Sequence, residues 1–149
     1  MNDLLKRHQE EKETCQKILE FIYTNYGNSD QESWFSAKYL VQDKIKELDR
    51  CIKIDLEGYL GLGDIERDHY HFFSPATMRG FRSRVYYETF KDGRYFITSE
   101  RHSSDAARYY TIRKATSENI ETVGEFQQYA SKRAAVSALK RMIKSGELK

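Results

Sequence analysis

Apolar residues recur at helical spacing through the first third of the chain, then switch to a two-residue alternation beyond residue 80. From Asp3 to Tyr26 neither Gly nor Pro interrupts, and Leu5, Cys15, Ile18, Leu19, Ile22 and Tyr26 recur on one side of a helix. Residues 6–13 are nearly all polar, so the first turns are expected to be solvated. Gly27 and Asn28 have the form of a C-cap, and Ser29 to Glu32 that of a capping box. A second stripe, Trp34, Val41, Ile45, Leu48 and Ile52, predicts a helix over 30–53. The short link makes the two helices antiparallel neighbours, a helical hairpin over 1–56.

The alternating part begins with Val85–Phe90 and Tyr95–Ser99, rich in β-branched and aromatic residues, on either side of Lys91-Asp92-Gly93-Arg94. Asp-Gly between such runs predicts a hairpin, because a type I′ turn needs positive φ at both central residues. Tyr109–Ile112 predicts a third strand and Ile120–Tyr129 a fourth, with Gly124 a candidate bulge. Ser131 then caps a helix over 132–144 that turns Ala135, Ala138, Leu139, Met142 and Ile143 inward and ends at Gly146. Residues 57–80 read as a linker. Gly58, Gly61 and Gly63 break regular structure, short strands are expected at Tyr59–Leu62 and His69–Phe73, and Ser74-Pro75 opens one helical turn to Gly80. The predicted class is α+β: an N-terminal antiparallel helical hairpin, then a four-stranded antiparallel meander with the C-terminal helix packed on it, residues 81–149 forming the β-β-β-β-α module.

Alternation also assigns faces. Val85, Tyr87, Tyr95, Ile97, Tyr110 and Ile112 are expected under the last helix. The opposite face then carries Arg84, Tyr86, Glu88 and Phe90, with Arg94, Phe96, Thr98 and Glu100, and with Tyr109, Thr111 and Arg113. Aromatic rings set among arginines suit single-stranded nucleic acid, where rings stack bases and guanidinium groups hold phosphates. The competing reading is that these rings pack beneath the helical hairpin.

Composition narrows the field. A chain of 149 residues, 39% hydrophobic and 13% aromatic, can bury a core without disulfides or metals. No apolar run is long enough for a membrane span, and the charged start MNDLLKRHQEEKE is unlike a signal peptide, so a cytoplasmic location is expected. Cys15 and Cys51 lack metal-ligand spacing and are expected as buried small side chains. The net charge of +2 is uneven. Residues 1–58 hold nine Lys and Arg against twelve Asp and Glu, whereas residues 80–149 hold fourteen against eight. A basic C-terminal half is the compositional sign of a polyanionic partner. On the last helix Lys132, Arg133, Lys140, Arg141 and Lys144 lie away from the apolar stripe, as a solvated face, a phosphate contact or a contact with an acidic protein partner.

Catalytic signatures are sparse. His69 and His71 would share a face if their segment were a strand and could reach one ion, with Asp64, Glu66, Asp68 or His102 as further donors. Two histidines in an aromatic-rich segment also arise without a metal. His102-Ser103-Ser104 supplies one His-x-Ser element where a two-histidine phosphoesterase needs two. No Gly-x-Ser-x-Gly elbow occurs, and the glycines at 58, 61 and 63 lack the Lys-Ser/Thr of a phosphate loop. The expectation is therefore a non-enzymatic interaction protein without cofactor. Its size, single proline and aromatic richness suit a small accessory protein of the kind phages and mobile elements encode, one that binds a nucleic-acid-processing protein and inhibits or escorts it. Direct nucleic-acid binding through the basic aromatic face and last helix is the second reading, and a metal-dependent enzyme using His69 and His71 the third.

Overall fold

The computed structural model describes residues 3–26 and 32–148, with the side chains of 32–34 excepted. The cap expected at Gly27 and Asn28, the capping box from Ser29 and the Trp34 side chain lie outside the described residues. The chain divides into two compact units, Met1–Glu57 and Gly58–Lys149.

The first unit is the predicted helical hairpin, α1 (Asp3–Tyr26) and α2 (Glu32–Glu57). Its side-chain contacts run from His8 Nδ1–Asp55 Oδ2 at 2.7 Å, through Lys12–Asp49 at 2.5 Å, to Gln42 Nε2 donating to the Tyr23 hydroxyl at 2.9 Å. The start of one helix therefore lies against the end of the other. Leu5, Ile22, Leu48 and Ile54 are buried. Cys15 and Cys51 are free and half-buried. Burial, then the nearby Glu47 and Asp55, pushes the Cys51 thiol above its usual range.

The second unit carries the sheet. Its elements are α3 (Leu62–Asp68), α4 (Tyr70–Phe73), α5 (Pro75–Phe81), β1 (Arg84–Lys91), β2 (Tyr95–Glu100), β3 (Tyr109–Ala115), β4 (Ile120–Val123) and α6 (Lys132–Ser145). The strands form an antiparallel meander in the order β1-β2-β3-β4. The Asp92-Gly93 turn has positive φ at both central residues, 56° and 71°, and Arg94 N–H closes it onto Lys91 C=O at 3.2 Å. Gly58 (φ 86°) is required by the same turn. A Cβ there would lie 2.9 Å from Gly93 Cα, and the next residue, Tyr59, donates its N–H to Gly93 C=O at 2.7 Å.

α6 is built as predicted. The Ser131 hydroxyl accepts from Ala134 N–H at 3.1 Å, and Gly146 (φ 78°) closes the other end. Ala135, Ala138 and Leu139 pack on Tyr95, Ile97 and Ile112, all buried. Two small alanines let the helix approach the sheet closely.

Two expected features are corrected. The stretch 57–80 contains no strand. Gly61 stands at the N-cap of α3, which buries Leu62 and Ile65 at helical spacing, and α4 lays Phe72 and Phe73 on Phe96 of β2, ring centroids 6.4 and 5.9 Å apart. Burying those rings outweighs the strand propensity of an aromatic run. The fourth strand stops at Val123 because Gly124 (φ 76°) and Gln127 (φ 58°) turn the chain, leaving Tyr129 to rejoin through a single bridge to Tyr110.

The faces of β1 are also corrected. Arg84, Val85 and Tyr86 pair with Ser99, Thr98 and Ile97, but the next pair is Lys91 with Tyr95. Residues 87–90 thus stand opposite Phe96 alone, a wide bulge. Thr89 holds it together: its buried hydroxyl donates to Tyr86 C=O at 2.5 Å and accepts from Ile97 N–H at 2.9 Å. The outcome places Tyr86, not Val85 and Tyr87, against the α6 core, while Tyr87 is 58% exposed.

Thr89→Val should therefore cost about 1–3 kcal/mol, since it strands a buried carbonyl and a buried amide together. A urea midpoint reads it, and an unchanged midpoint would deny the bridge. Tyr95→Phe should act in the opposite sense, because the Tyr95 hydroxyl is buried without a hydrogen-bond partner among the described residues. Removing it should stabilise the fold by about 1 kcal/mol. Burial also holds the Tyr95 phenol above 10.0. The unfolded chain thus gives up that proton first as pH climbs past 10.0, and stability falls. The variant should lose less stability than the parent between neutral and strongly alkaline pH.

Candidate functional site

With its two faces covered, the sheet gathers charge at one end, where β1 begins, β2 ends and β3 begins. Arg84 is the first residue of β1 and pairs with Ser99; Arg101 follows β2; Arg108 precedes β3. Arg84, Ser99 and Arg101, with Tyr86, Arg108 and Tyr110, all fall on the α6 side by alternation. Arg108 Nη1 donates to Ser99 Oγ at 3.1 Å and to Arg82 C=O at 2.8 Å, while Arg82 Nη1 reaches His102 C=O at 3.3 Å. Arg82 itself is held in a left-handed conformation (φ 48°) as the C-cap of α5. Burial, then the neighbouring Arg84 and Arg101 charges, holds the Arg108 guanidinium below the ordinary arginine range. Among the described residues no carboxylate pairs with any of the four arginines, and the buried Arg101 Nε has no hydrogen-bond partner.

Hydroxyls and rings floor this cluster. Tyr86 shares a hydrogen bond of 3.0 Å with Ser99, and its ring lies 5.7 Å from that of Tyr110. Burial, then the Tyr86 hydroxyl beside it, raises the Tyr110 phenol above its usual range. Lys132, at the start of α6, lies 5.0 Å over the Tyr86 ring and pairs with Glu88.

The opposite face, expected to be open, is closed. Phe96 is wholly buried beneath Phe72 and Phe73. Arg113 is buried too. It donates Nη2 to Glu100 Oε1 at 2.9 Å, Nε to Thr98 Oγ1 at 3.1 Å and Nη1 to Thr122 Oγ1 at 2.7 Å, with its guanidinium 5.4 Å from the rings of both Phe72 and Phe126. Glu100, 2% exposed, also accepts from Thr98 at 2.6 Å and from Thr111 at 3.0 Å. The covering comes from α3 to α5, within the same unit.

The predicted site residues therefore scatter. Arg84 and Tyr86 belong to the arginine cluster, from the face opposite to the one expected. Phe90 is half-buried within the bulge, Arg94 closes the β1–β2 turn, and Tyr109 is exposed on the side away from α6. Arg133, Lys140, Arg141 and Lys144 are exposed along α6. Arg101 and Arg108 were missed, because alternation was read only inside the strands and they lie just beyond the ends.

His69 and His71 do not form the expected pair. His69 stands between α3 and α4, with Nε2 2.8 Å from Thr116 C=O and 3.2 Å from the Tyr59 hydroxyl, and His71 lies exposed in α4. Two residues apart in a helical segment, their rings diverge. Among the described residues no three His, Cys, Asp or Glu side chains come together as a metal site. His102 is an exposed loop residue.

A buried ion pair makes its own prediction. Arg113→Met should cost about 3–5 kcal/mol by stranding the Glu100 carboxylate. Arg113→Met combined with Glu100→Gln should cost less than Arg113→Met alone, a coupling that a double-mutant cycle of urea midpoints measures. Additive losses would contradict the pairing.

Among the described residues no helix is long and apolar enough to cross a membrane. Comparison with curated proteins and with solved structures finds no match. A family model does match residues 63–140, which run from α3 through the whole sheet into α6. That span holds the arginine cluster and its covered sheet, and the chain belongs to this family, a family of unknown function (DUF7447).

Proposed function

We propose that the chain is a non-enzymatic nucleic-acid-binding module that grips the phosphate backbone with Arg84, Arg101 and Arg108. One observation carries the reading: three guanidinium groups, those of Arg84, Arg101 and Arg108, gather at one end of the sheet without a carboxylate partner among the described residues. Grouping like charges costs energy, and an anion relieves it. Arginine suits the task because its planar fork matches a phosphate and stays charged. Ser99 and the carbonyl of Arg82 hold Arg108 in place before any ligand arrives.

A second reading has its own observation. On the helical hairpin, Phe21, Phe35, Tyr39 and Leu40 are exposed, Leu40 to 71%, and Lys38 lies over the rings of Tyr23, Phe35 and Tyr39. Aromatic side chains left open in this way fit the anchor of a protein partner, such as a nucleic-acid-processing enzyme that the chain would block.

Fluorescence anisotropy separates the two. With three phosphates neutralised, the logarithm of affinity for a labelled oligonucleotide should fall against the logarithm of salt with a slope of about 2 on single strands and nearer 3 on duplex. Arg84→Ala, Arg101→Ala and Arg108→Ala should each weaken binding and each lower the slope by about 0.7–0.9. Absence of binding at ~50 mM salt would overturn the nucleic-acid reading and leave the protein partner.

A further inference from the structure

On the side of the sheet away from α6, a cavity of about 270 Å³ opens among Phe72, Met78, Phe81 and Phe126, with Ser83, Thr77, Glu100 and Arg113 completing its lining. We propose that this cavity takes one unstacked nucleobase of a single strand whose phosphates lie on the arginine cluster, an inference that rests on the nucleic-acid reading above.

Three observations support it. The walls are aromatic and apolar, and a small planar heterocycle fits such a volume. The polar part of the lining is a matched pair. Among the described residues Glu100 Oε2 accepts only from Thr111, which leaves it an acceptor site, and Arg113 has donors to spare on both Nη atoms. A carboxylate acceptor beside a guanidinium donor is what the edge of a base requires, since bases carry a donor next to an acceptor. Because the pair is internally neutral, the cavity favours a neutral heterocycle over a second phosphate.

The third observation is position. Ser83 lines the cavity, and Arg84 after it belongs to the cluster; Glu100 lines the cavity, and Arg101 after it belongs to the cluster. Strand alternation sends consecutive side chains to opposite faces, so cavity and cluster lie back to back around one end of the sheet. A strand rounding that end would set its backbone on the arginines and turn a base inward. A stacked duplex cannot do so without flipping a nucleotide out.

Phe81 and Phe126 are 58% and 49% exposed, and a urea midpoint for each variant, Phe126 lying beside the Arg113 guanidinium, shows whether the fold is kept. In the full chain, Phe81→Ala and Phe126→Ala should each weaken binding of a labelled single strand about tenfold and leave duplex binding unchanged. A strand of the same length with abasic sites throughout should bind the parent protein as weakly as the ordinary strand binds these variants. Equal affinity of the parent for abasic and ordinary strands would overturn the cavity, as would unchanged single-strand affinity in both variants. If Arg101→Ala still weakened every strand, phosphate binding would survive that failure. Absence of binding to any strand would remove both proposals together.

Discussion

The Thr89 hydroxyl, wedged between Tyr86 C=O and Ile97 N–H, decides which way the first strand faces. Four residues of β1 stand opposite one of β2, and without a bridge the ladder would lose a donor and an acceptor inside the protein. The hydroxyl satisfies both. Upstream of it, Tyr86 turns into the α6 core and Arg84 follows to the same side, where Arg101 and Arg108 already lie. The charge cluster thus exists because one threonine makes a wide bulge tolerable. Had β1 run straight, Arg84 and Tyr86 would have joined Phe96 and Arg113 under the short helices.

Those short helices impose the second constraint. α4 and α5 close the face that holds Glu100 and Arg113, and closing it buries two charges. Taking an ion pair out of water is costly unless every donor and acceptor finds a partner. Thr98, Thr111 and Thr122 supply partners, and Phe72 and Phe126 flank the guanidinium. Glu100 and Arg113 both line the cavity, each with hydrogen-bonding capacity beyond those partners. The same pairing that makes the burial affordable leaves a site with hydrogen-bonding capacity.

Much of the architecture was legible from spacing alone. The two long helices, the Asp92-Gly93 turn, the Ser131 and Gly146 caps and the inward Ala135–Leu139 face all rest on local chemistry, and local chemistry is written in local sequence; the α1 stripe was less so, since Ile18 is exposed and His8 buried. The site was less legible for three physical reasons. The bulge depends on a side chain replacing a ladder bond, which alternation cannot register. The glycines at 61 and 63 read as irregular, although burial of Leu62 and Ile65 makes a helix there. Arg101 and Arg108 lie outside their strands, and only the pairing of β2 with β3 brings them together. His69 and His71 fail as a pair for a related reason: their segment is helical, so the shared face assumed for a strand does not exist.

By the proposal above, the bulge places Arg84 beside Arg101 and Arg108 as one anion site. Guanidinium Nε–H signals in a nitrogen–proton correlation spectrum report each arginine separately. On titration with a short single strand at low salt, the Nε–H signals of Arg84, Arg101 and Arg108 should shift together along one saturating curve, while that of Arg113, already donating to Thr98, should move little. Shifts confined to the exposed residues of α6, or an Arg84 signal that stays fixed while the other two move, would contradict it.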